Sequence, residues 1–216
     1  MFKPFAMIFA SIFWALHGSG QAGEVSREIA AGEWSQPVSD QRGYALRGRL
    51  VLCEKPSHPD GLREVVVYVE LQDCSDFIGN TMRLYCEMGP HDFRPESTGG
   101  LKCKLSKVDK IPIEPTGFPF GGATPKSEWV TLPVDGTIRV RATPFGIRRA
   151  KAIAICPHLG GEWVIADNDP LEYFLSGTFT ITPAKGDPQN ESPPSNDHDW
   201  QGTLELPAAV IRNTGP

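Results

Sequence analysis

The sequence predicts an all-β protein built as an antiparallel β-sandwich. Apolar and polar residues alternate with a period of two along many short segments, which is the period of a half-buried strand. The 22 glycines and 20 prolines divide these segments from one another. Beyond residue 22, no segment keeps an apolar helical period over three turns. Many short strands separated by turns, without intervening helices, are typical of a sandwich or barrel.

The amino-terminal segment predicts a secretory signal peptide over residues 1–22. Lys3 precedes an apolar run at residues 5–16, and the small residues that follow suit cleavage after Ala22. The run is too short for a bilayer span, which needs about 20 apolar residues. The first cysteine is Cys53, so no cysteine stands at the cut to take a lipid. We therefore expect a secreted or periplasmic protein without an integral membrane span.

The mature chain is expected to form one β-sandwich domain at residues 43–212, preceded by a polar arm at residues 23–42. About 194 residues remain after cleavage, which is ample for a hydrophobic core. Removing Lys3 with the signal leaves 20 basic and 26 acidic side chains, a balance of −6. This argues against a nucleic acid partner, which needs a basic face. The arm lies on the domain or forms a first edge strand.

The strands follow from the alternation in chain order. Tyr44, Leu46, Leu50 and Leu52 define the first, and residues 64–72, with valine at 65, 67 and 69, predict a central strand. Turn residues at 134–136 and 159–161 separate later strands. These further strands are expected at residues 82–88, 101–105, 128–132, 137–142, 150–156, 162–165, 172–181 and 200–206.

Two long loops interrupt this rhythm. Residues 183–199 carry no aliphatic anchor and are expected to be disordered. Residues 111–125 combine four prolines with Phe118 and Phe120, and long loops that carry aromatic rings often bind a ligand. The alternative is that both rings cap an open end of the sandwich.

Trp34 is a third candidate for ligand binding because it stands on the polar arm, whereas the other mature tryptophans lie in or beside strands. Arginines occur in two pairs at alternate strand positions, Arg47 with Arg49 and Arg139 with Arg141, so each pair shares one strand face. The favoured interpretation of these pairs is a solvated sheet face, and the alternative is an anion site.

Five cysteines in an exported chain favour disulfide formation. Cys86 and Cys103 each lie on the apolar face of a predicted strand, and a hairpin centred between Met88 and Leu101 would bring them together. We therefore predict a Cys86–Cys103 disulfide. The alternative is that both are reduced core thiols.

Asp167, Asp169 and Glu172 form an acidic cluster with oxygen ligands of the kind that calcium accepts. The favoured alternative is an ordinary turn whose side chains bind their own backbone. No other cofactor is indicated. Neither a G-x-S-x-G serine nor a cysteine with a placed histidine occurs, which favours a protein without catalytic activity.

Several segments resemble uncharacterised exported bacterial proteins with a predicted immunoglobulin-like sandwich, over residues 44–211. The resemblance implies an immunoglobulin-like topology and brings no catalytic residues. The segments that carry it are WVTLP at 129–133, TIRVR at 137–141, WVI at 163–165, EYFLSGTF at 172–179 and W-x-G-T-L at 200–204.

The sequence therefore predicts a non-catalytic interaction or structural module of the periplasm or cell exterior, with an extracellular protein or glycan as partner. One alternative is an extracellular hydrolase that acts on a polymer through Asp167, Asp169 or Glu172. A second alternative is a calcium-stabilised adhesion module that uses the same acids.

Overall fold

The computed structural model describes residues 26–55, 63–76, 81–88, 100–108, 110–117, 126–134, 136–149, 152–156, 161–166, 169–182 and 199–212. Over these ranges the chain forms thirteen strands, all pairings between strands are antiparallel, and no helix occurs. The predicted all-β class is confirmed. No segment within these ranges is a helix long and apolar enough to cross a membrane.

The strands are β1 (Arg27–Ala31), β2 (Val38–Ser39), β3 (Ala45–Glu54), β4 (Arg63–Asp73), β5 (Met82–Met88), β6 (Gly100–Lys107), β7 (Pro112–Ile113), β8 (Lys126–Leu132), β9 (Thr137–Arg149), β10 (Ala152–Cys156), β11 (Trp163–Ala166), β12 (Tyr173–Ile181) and β13 (Gly202–Ile211). The predicted signal peptide, most of the loop at residues 183–199, Phe118, Phe120 and Asp167 lie outside the described residues.

The first sheet has the strand order β1-β3-β4-β9-β10-β11, with β2 also paired to β3. β4 lies inside this sheet, as its valine-rich sequence predicts, and Val65, Val67 and Val69 are fully buried. β1 and β2 both come from residues 23–42 and pair with β3, so this segment forms an edge of the sheet, which was one of its two expected arrangements. β10 and β11, which lie on either side of the turn residues at 159–161, pair with each other.

β9 runs for 13 residues, whereas the alternation predicted a strand only at residues 137–142. Pro144 and Gly146 interrupt the sequence pattern, but the strand continues past them and pairs with both β4 and β10. A bulge opposite the segment between Val66 and Tyr68 absorbs the irregularity. A Cβ at Gly146 would lie 2.9 Å from the Val65 Cβ, so glycine permits this close approach.

The second sheet has the strand order β13-β12-β6-β7. β13 continues five residues beyond the predicted end at residue 206, through Pro207. Leu175 pairs with Ala209 and Gly177 with Leu206, so β13 carries a bulge at Pro207. A bulge tolerates proline because the missing N–H is not needed by the ladder there.

A third, two-stranded sheet pairs β5 with β8. Its apolar face contributes Met82, Leu84 and Leu132 to the same buried cluster that holds Leu50 of the first sheet and Phe179 of the second. The predicted hairpin between β5 and β6 is therefore wrong, because β6 pairs with β12 and β7 instead. Alternation assigns a strand's faces but not its partner.

Cys86 and Cys103 are free thiols in the structure, and the predicted disulfide between them is not formed. Cys86 is fully buried, and Cys103 packs against the core cluster. Burial raises the pKa of each thiol to about 12. Both side chains behave as small apolar core residues, which was the alternative interpretation.

The edges of the two larger sheets are joined by isolated bridges on both sides. The first seam lies between β13 and the edge of the first sheet formed by β1, β2 and β3, and it includes the Gly32–Ala209 bridge. The second seam is the Thr116–Glu162 bridge, between the segments after β7 and before β11. Between the seams, a Cβ at Gly48 would meet Leu204 and Leu206 at 3.1 and 3.0 Å, so the sheets approach each other closely at this glycine.

Candidate binding face on the first sheet

The two predicted arginine pairs lie on one face of one sheet. β3 and β9 flank β4, and the ladder places Arg49 opposite Glu70 and Glu70 opposite Arg139. Side chains alternate along a strand, so Arg47 and Arg141 share this side, while Leu50, Val69 and Val140 point into the core. We call this surface the arginine face. It comprises Trp34, Arg47, Arg49, Arg139, Arg141 and their hydrogen-bond partners.

Trp34 reaches the arginine face because the polar arm is fastened along β3. Ser35 N donates to the Gly48 carbonyl at 2.8 Å, and Gly48 N donates to Ser35 Oγ at 3.0 Å. These bonds hold the indole ring of Trp34 beside two guanidinium groups. The ring centroid lies 5.0 Å from the Arg47 Cζ and 4.8 Å from the Arg49 Cζ, which is cation–π distance. The predicted ligand-binding residue and the first arginine pair are thus brought together.

Glu70 is the centre of an ion-pair network on this face. Its carboxylate accepts from Arg49 Nε at 2.5 Å and from Arg139 Nε at 3.1 Å. Arg139 also pairs with Glu28 at 3.1 Å. Burial alone would lower the pKa of Arg139, but the hydrogen bond and charge of Glu70 raise it.

Glu64 forms a second ion-pair centre, with Arg141 and, at 2.7 Å, with Lys55. Burial acts to raise the pKa of Glu64, but the bonds and charges of Lys55 and Arg141 outweigh burial and lower it. Two basic side chains thus share one carboxylate here, as they do at Glu70.

Arg47 differs from the other arginines of the face because its partner is neutral. Its Nε and Nη2 donate to Gln72 Oε1 at 2.8 and 2.6 Å, and within the described ranges it forms no ion pair. Among the described side chains of the arginine face, four arginines (Arg47, Arg49, Arg139 and Arg141) stand against three carboxylates (Glu28, Glu64 and Glu70), which leaves a surplus of one positive charge. Lys55, which also pairs with Glu64, adds a further cation beside the face.

Beneath the charged layer lie the buried side chains of Val51, Cys53 and Val66. The Arg139 guanidinium lies over Cys53, with Nη1 at 3.7 Å from Sγ. Burial raises the pKa of Cys53 more than the Arg139 charge lowers it. Cys53 is 1% exposed and packs as a buried structural side chain.

The acids of the predicted calcium site are engaged by neighbouring groups. Asp169 accepts from Leu171 N at 3.0 Å and from the Tyr173 hydroxyl at 2.6 Å. Glu172 pairs with Arg212 at 2.6 Å. The bond from Asp169 to Leu171 N is the turn geometry that was the favoured alternative. No set of three metal-ligating side chains is grouped within the described ranges.

A second aromatic and basic cluster lies on the β5–β8 sheet. Arg83 stacks over the Trp129 ring at 4.4 Å and donates to Asp199 at 2.9 Å. Arg83 Nη2 and Trp129 Nε1 have no hydrogen-bond partner, but both atoms are buried. A ligand cannot reach buried donors without a structural change, so the arginine face is the better candidate.

The sequence pattern did not identify Glu28, Glu70 or Gln72 as part of the site, because only the strand order brings them to the arginines. The comparisons with known proteins assign no function to this face: no family model, curated protein or solved structure matches the chain.

Proposed function

We propose that this protein is an exported, non-catalytic binding module that captures an acidic partner through the arginine face. Export to the periplasm or cell exterior is supported by the basic and apolar pattern of residues 1–22. An immunoglobulin-like β-sandwich is supported by two antiparallel sheets that share a buried cluster and are bridged at both edges.

The observation that carries the proposal is the positive surplus around Trp34 in a chain whose net charge is −5. An acidic protein that sorts guanidinium groups onto one sheet face favours partners of negative charge at that face. Arginine is suited to this role because its planar fork matches carboxylate geometry. Trp34 is only half buried, so it adds an accessible aromatic surface to the cations.

The test uses the protein recovered from an exporting host and oligogalacturonate or poly-L-glutamate as acidic probes, with dextran as the uncharged control. We expect calorimetric binding to at least one acidic probe, weakening as salt rises from 50 to 500 mM. The Arg47→Gln, Arg141→Gln double variant should bind about tenfold more weakly, which corresponds to about 1.4 kcal/mol.

Arg212→Gln is the matched control, because Arg212 is also exposed and acid-paired but lies after β13 of the second sheet. It should bind as the unmodified protein does. Equal loss in both variants, or no loss in either, would remove the arginine face from the proposal. A Phe118→Ala, Phe120→Ala variant tests the predicted loop site. If this variant lost binding of the acidic probe while the Arg47→Gln, Arg141→Gln variant kept it, the arginine face would also be overturned as the binding site.

A further inference from the structure

We infer that the acidic partner is a polysaccharide of uronate type, and that one of its carboxylates pairs with Arg47 beside Trp34. This inference rests on the proposed function and deepens it. It would assign the ligand class and the anchoring residue of the arginine face.

Two neighbouring rows of the sheet show why Arg47 is the anchoring residue. Arg49 stands opposite Glu70, and two residues along the same strands Arg47 stands opposite Gln72. The row of Arg49 has its carboxylate, whereas the row of Arg47 has a neutral carboxamide. Arg47 directs two N–H groups at the single oxygen of Gln72. A carboxylate would offer one oxygen to each N–H and add charge, so it binds this fork more strongly than an amide does.

The indole ring of Trp34 lies 5.0 Å from the same guanidinium group. A ligand whose carboxylate replaces the Gln72 oxygen therefore places its adjacent atoms beside an aromatic surface. A pyranose ring presents an apolar C–H face next to its carboxylate, and such a face packs against aromatic side chains. Arg47 and Trp34 together match one acidic sugar residue.

The balance of donors and acceptors favours a polysaccharide over an acidic peptide. Glu70 accepts from two arginines, Glu64 is paired with Arg141 and Lys55, and the Gln72 oxygen accepts twice from Arg47. The face therefore has spare donors, while its charged acceptors are already occupied. A peptide brings a backbone N–H at nearly every residue, and each N–H that the complex buries needs an acceptor. A polyuronate brings two acceptor oxygens on each carboxylate, and its hydroxyl groups can accept as well as donate.

The test compares three probes: oligogalacturonate, its fully methyl-esterified form and poly-L-glutamate. Gln72→Glu supplies Arg47 with an internal carboxylate in the place of the amide. We expect this variant to bind oligogalacturonate at least about tenfold more weakly, with an unchanged or raised urea midpoint. Thr131→Glu adds the same charge at an exposed position on β8 and should bind normally. The esterified probe should not bind.

Equal binding of the ester, or unchanged binding by Gln72→Glu, would overturn the pairing with Arg47. Poly-L-glutamate binding in the absence of oligogalacturonate binding would overturn the ligand class and make the partner an acidic peptide. After either result the proposed function still holds, provided that the Arg47→Gln, Arg141→Gln variant binds the acidic probe more weakly than the unmodified protein does. If no acidic probe binds the unmodified protein, both proposals fail.

Discussion

The two seams that join the large sheets share three structural features. Each has an isolated bridge, a glycine at the closest approach and a tryptophan indole that donates to a backbone carbonyl. At the first seam, Trp200 Nε1 donates to the Tyr44 carbonyl at 3.1 Å. At the second seam, Trp163 Nε1 donates to the Ile113 carbonyl at 2.7 Å.

The seams differ in what surrounds these features. At the first seam the ten-residue β13 packs beside the five-residue β1 and the ten-residue β3, and Ala209 and Trp200 are fully buried. The second seam joins the two-residue β7 to the four-residue β11, and Thr116 at its centre is exposed. The first seam is therefore stabilised mainly by side-chain packing, and the second mainly by backbone geometry. A substitution that affects only side-chain packing, or only backbone geometry, should therefore destabilise the protein by different amounts at the two seams.

Gly161→Ala should have the largest effect, by breaking the backbone geometry of the second seam. Gly161 has φ of +121°, and a Cβ there would lie 2.5 Å from the Thr116 carbonyl oxygen. That oxygen accepts from Glu162 N at 2.7 Å, so it cannot move away without losing the bridge. We expect the free energy of unfolding to fall by about 4 kcal/mol in urea denaturation.

Gly117→Ala separates backbone strain from steric conflict at the same seam. Gly117 has φ of +107°, but a Cβ there would meet only the Gly161 Cα, at 3.9 Å. This variant should lose about 1 kcal/mol, the cost of the positive φ alone. If both alanine variants lost equal stability, the contact with Thr116 would carry no energy, and the second seam would not depend on close approach.

Trp200→Phe should have the next largest effect, at the first seam. The change removes the bond to the Tyr44 carbonyl and leaves a cavity, because Trp200 is 1% exposed. We expect a loss of about 2–3 kcal/mol. Trp163→Phe is the matched change at the second seam. Trp163 is also buried, at 4% exposed, but the short strands β7 and β11 around it can shift to refill the space, so the change should cost about 1–2 kcal/mol. A larger loss for Trp163→Phe in urea denaturation would contradict the assignment of packing to the first seam.

Gly32→Ala tests close approach at the first seam. A Cβ at Gly32 would lie 2.8 Å from the Pro207 carbonyl oxygen, without the positive φ of Gly161. Pro207 lies in the bulge of β13, where the ladder is already irregular, so a small shift can relieve the contact. We expect the free energy of unfolding, measured by urea denaturation, to fall by about 1–2 kcal/mol. A loss equal to that of Gly161→Ala would mean that both seams depend on backbone geometry alike.

The sequence allowed the strands and their faces to be predicted, but not the seams. The period-two pattern located β4 and β12 well because each has apolar side chains at alternate positions, and these form its buried row. The two-residue β7 is too short to show a period, so the partner of the predicted strand at residues 162–165 (β11) could not be found. The strands β9 and β13 continue through prolines that normally end a strand. Partner choice between strands distant in the chain depends on global packing, which local alternation does not record.

The same limit applies to the arginine face. Alternation correctly predicted that Arg47 shares a face with Arg49, and Arg139 with Arg141. It did not predict that β3 and β9 flank one strand, and so it could not show that one arginine of each pair, Arg49 and Arg139, bonds Glu70. Trp34 stood out as an aromatic residue on a polar arm, but its place beside Arg47 depends on Ser35, whose role has no sequence signal.

The smallest expected effect comes from the polar contact that follows β11 at the second seam. Asp169 N donates to the Ala166 carbonyl, and the Asp169 carboxylate accepts from the Tyr173 hydroxyl. The Tyr173 bond lowers the pKa of Asp169, so this contact stabilises the fold above the ordinary aspartate pKa and is lost as pH falls through the lowered value. Burial first, and Asp169 second, raise the pKa of Tyr173 to about 12, so its contribution is complete below pH 10 and is lost as pH rises through about 12.

Asp169→Asn should therefore reduce the acid and alkaline dependence of the urea midpoint. Absorbance titration of the phenolate band, with Tyr173→Phe to identify the signal, should show the Tyr173 midpoint below about 12 in Asp169→Asn. It should stay above the ordinary value of 10, because burial is the larger cause of the shift. A midpoint that does not move would mean that the hydroxyl of Tyr173 does not bond Asp169 in solution, and that the backbone bridge and the Trp163 indole alone close this seam.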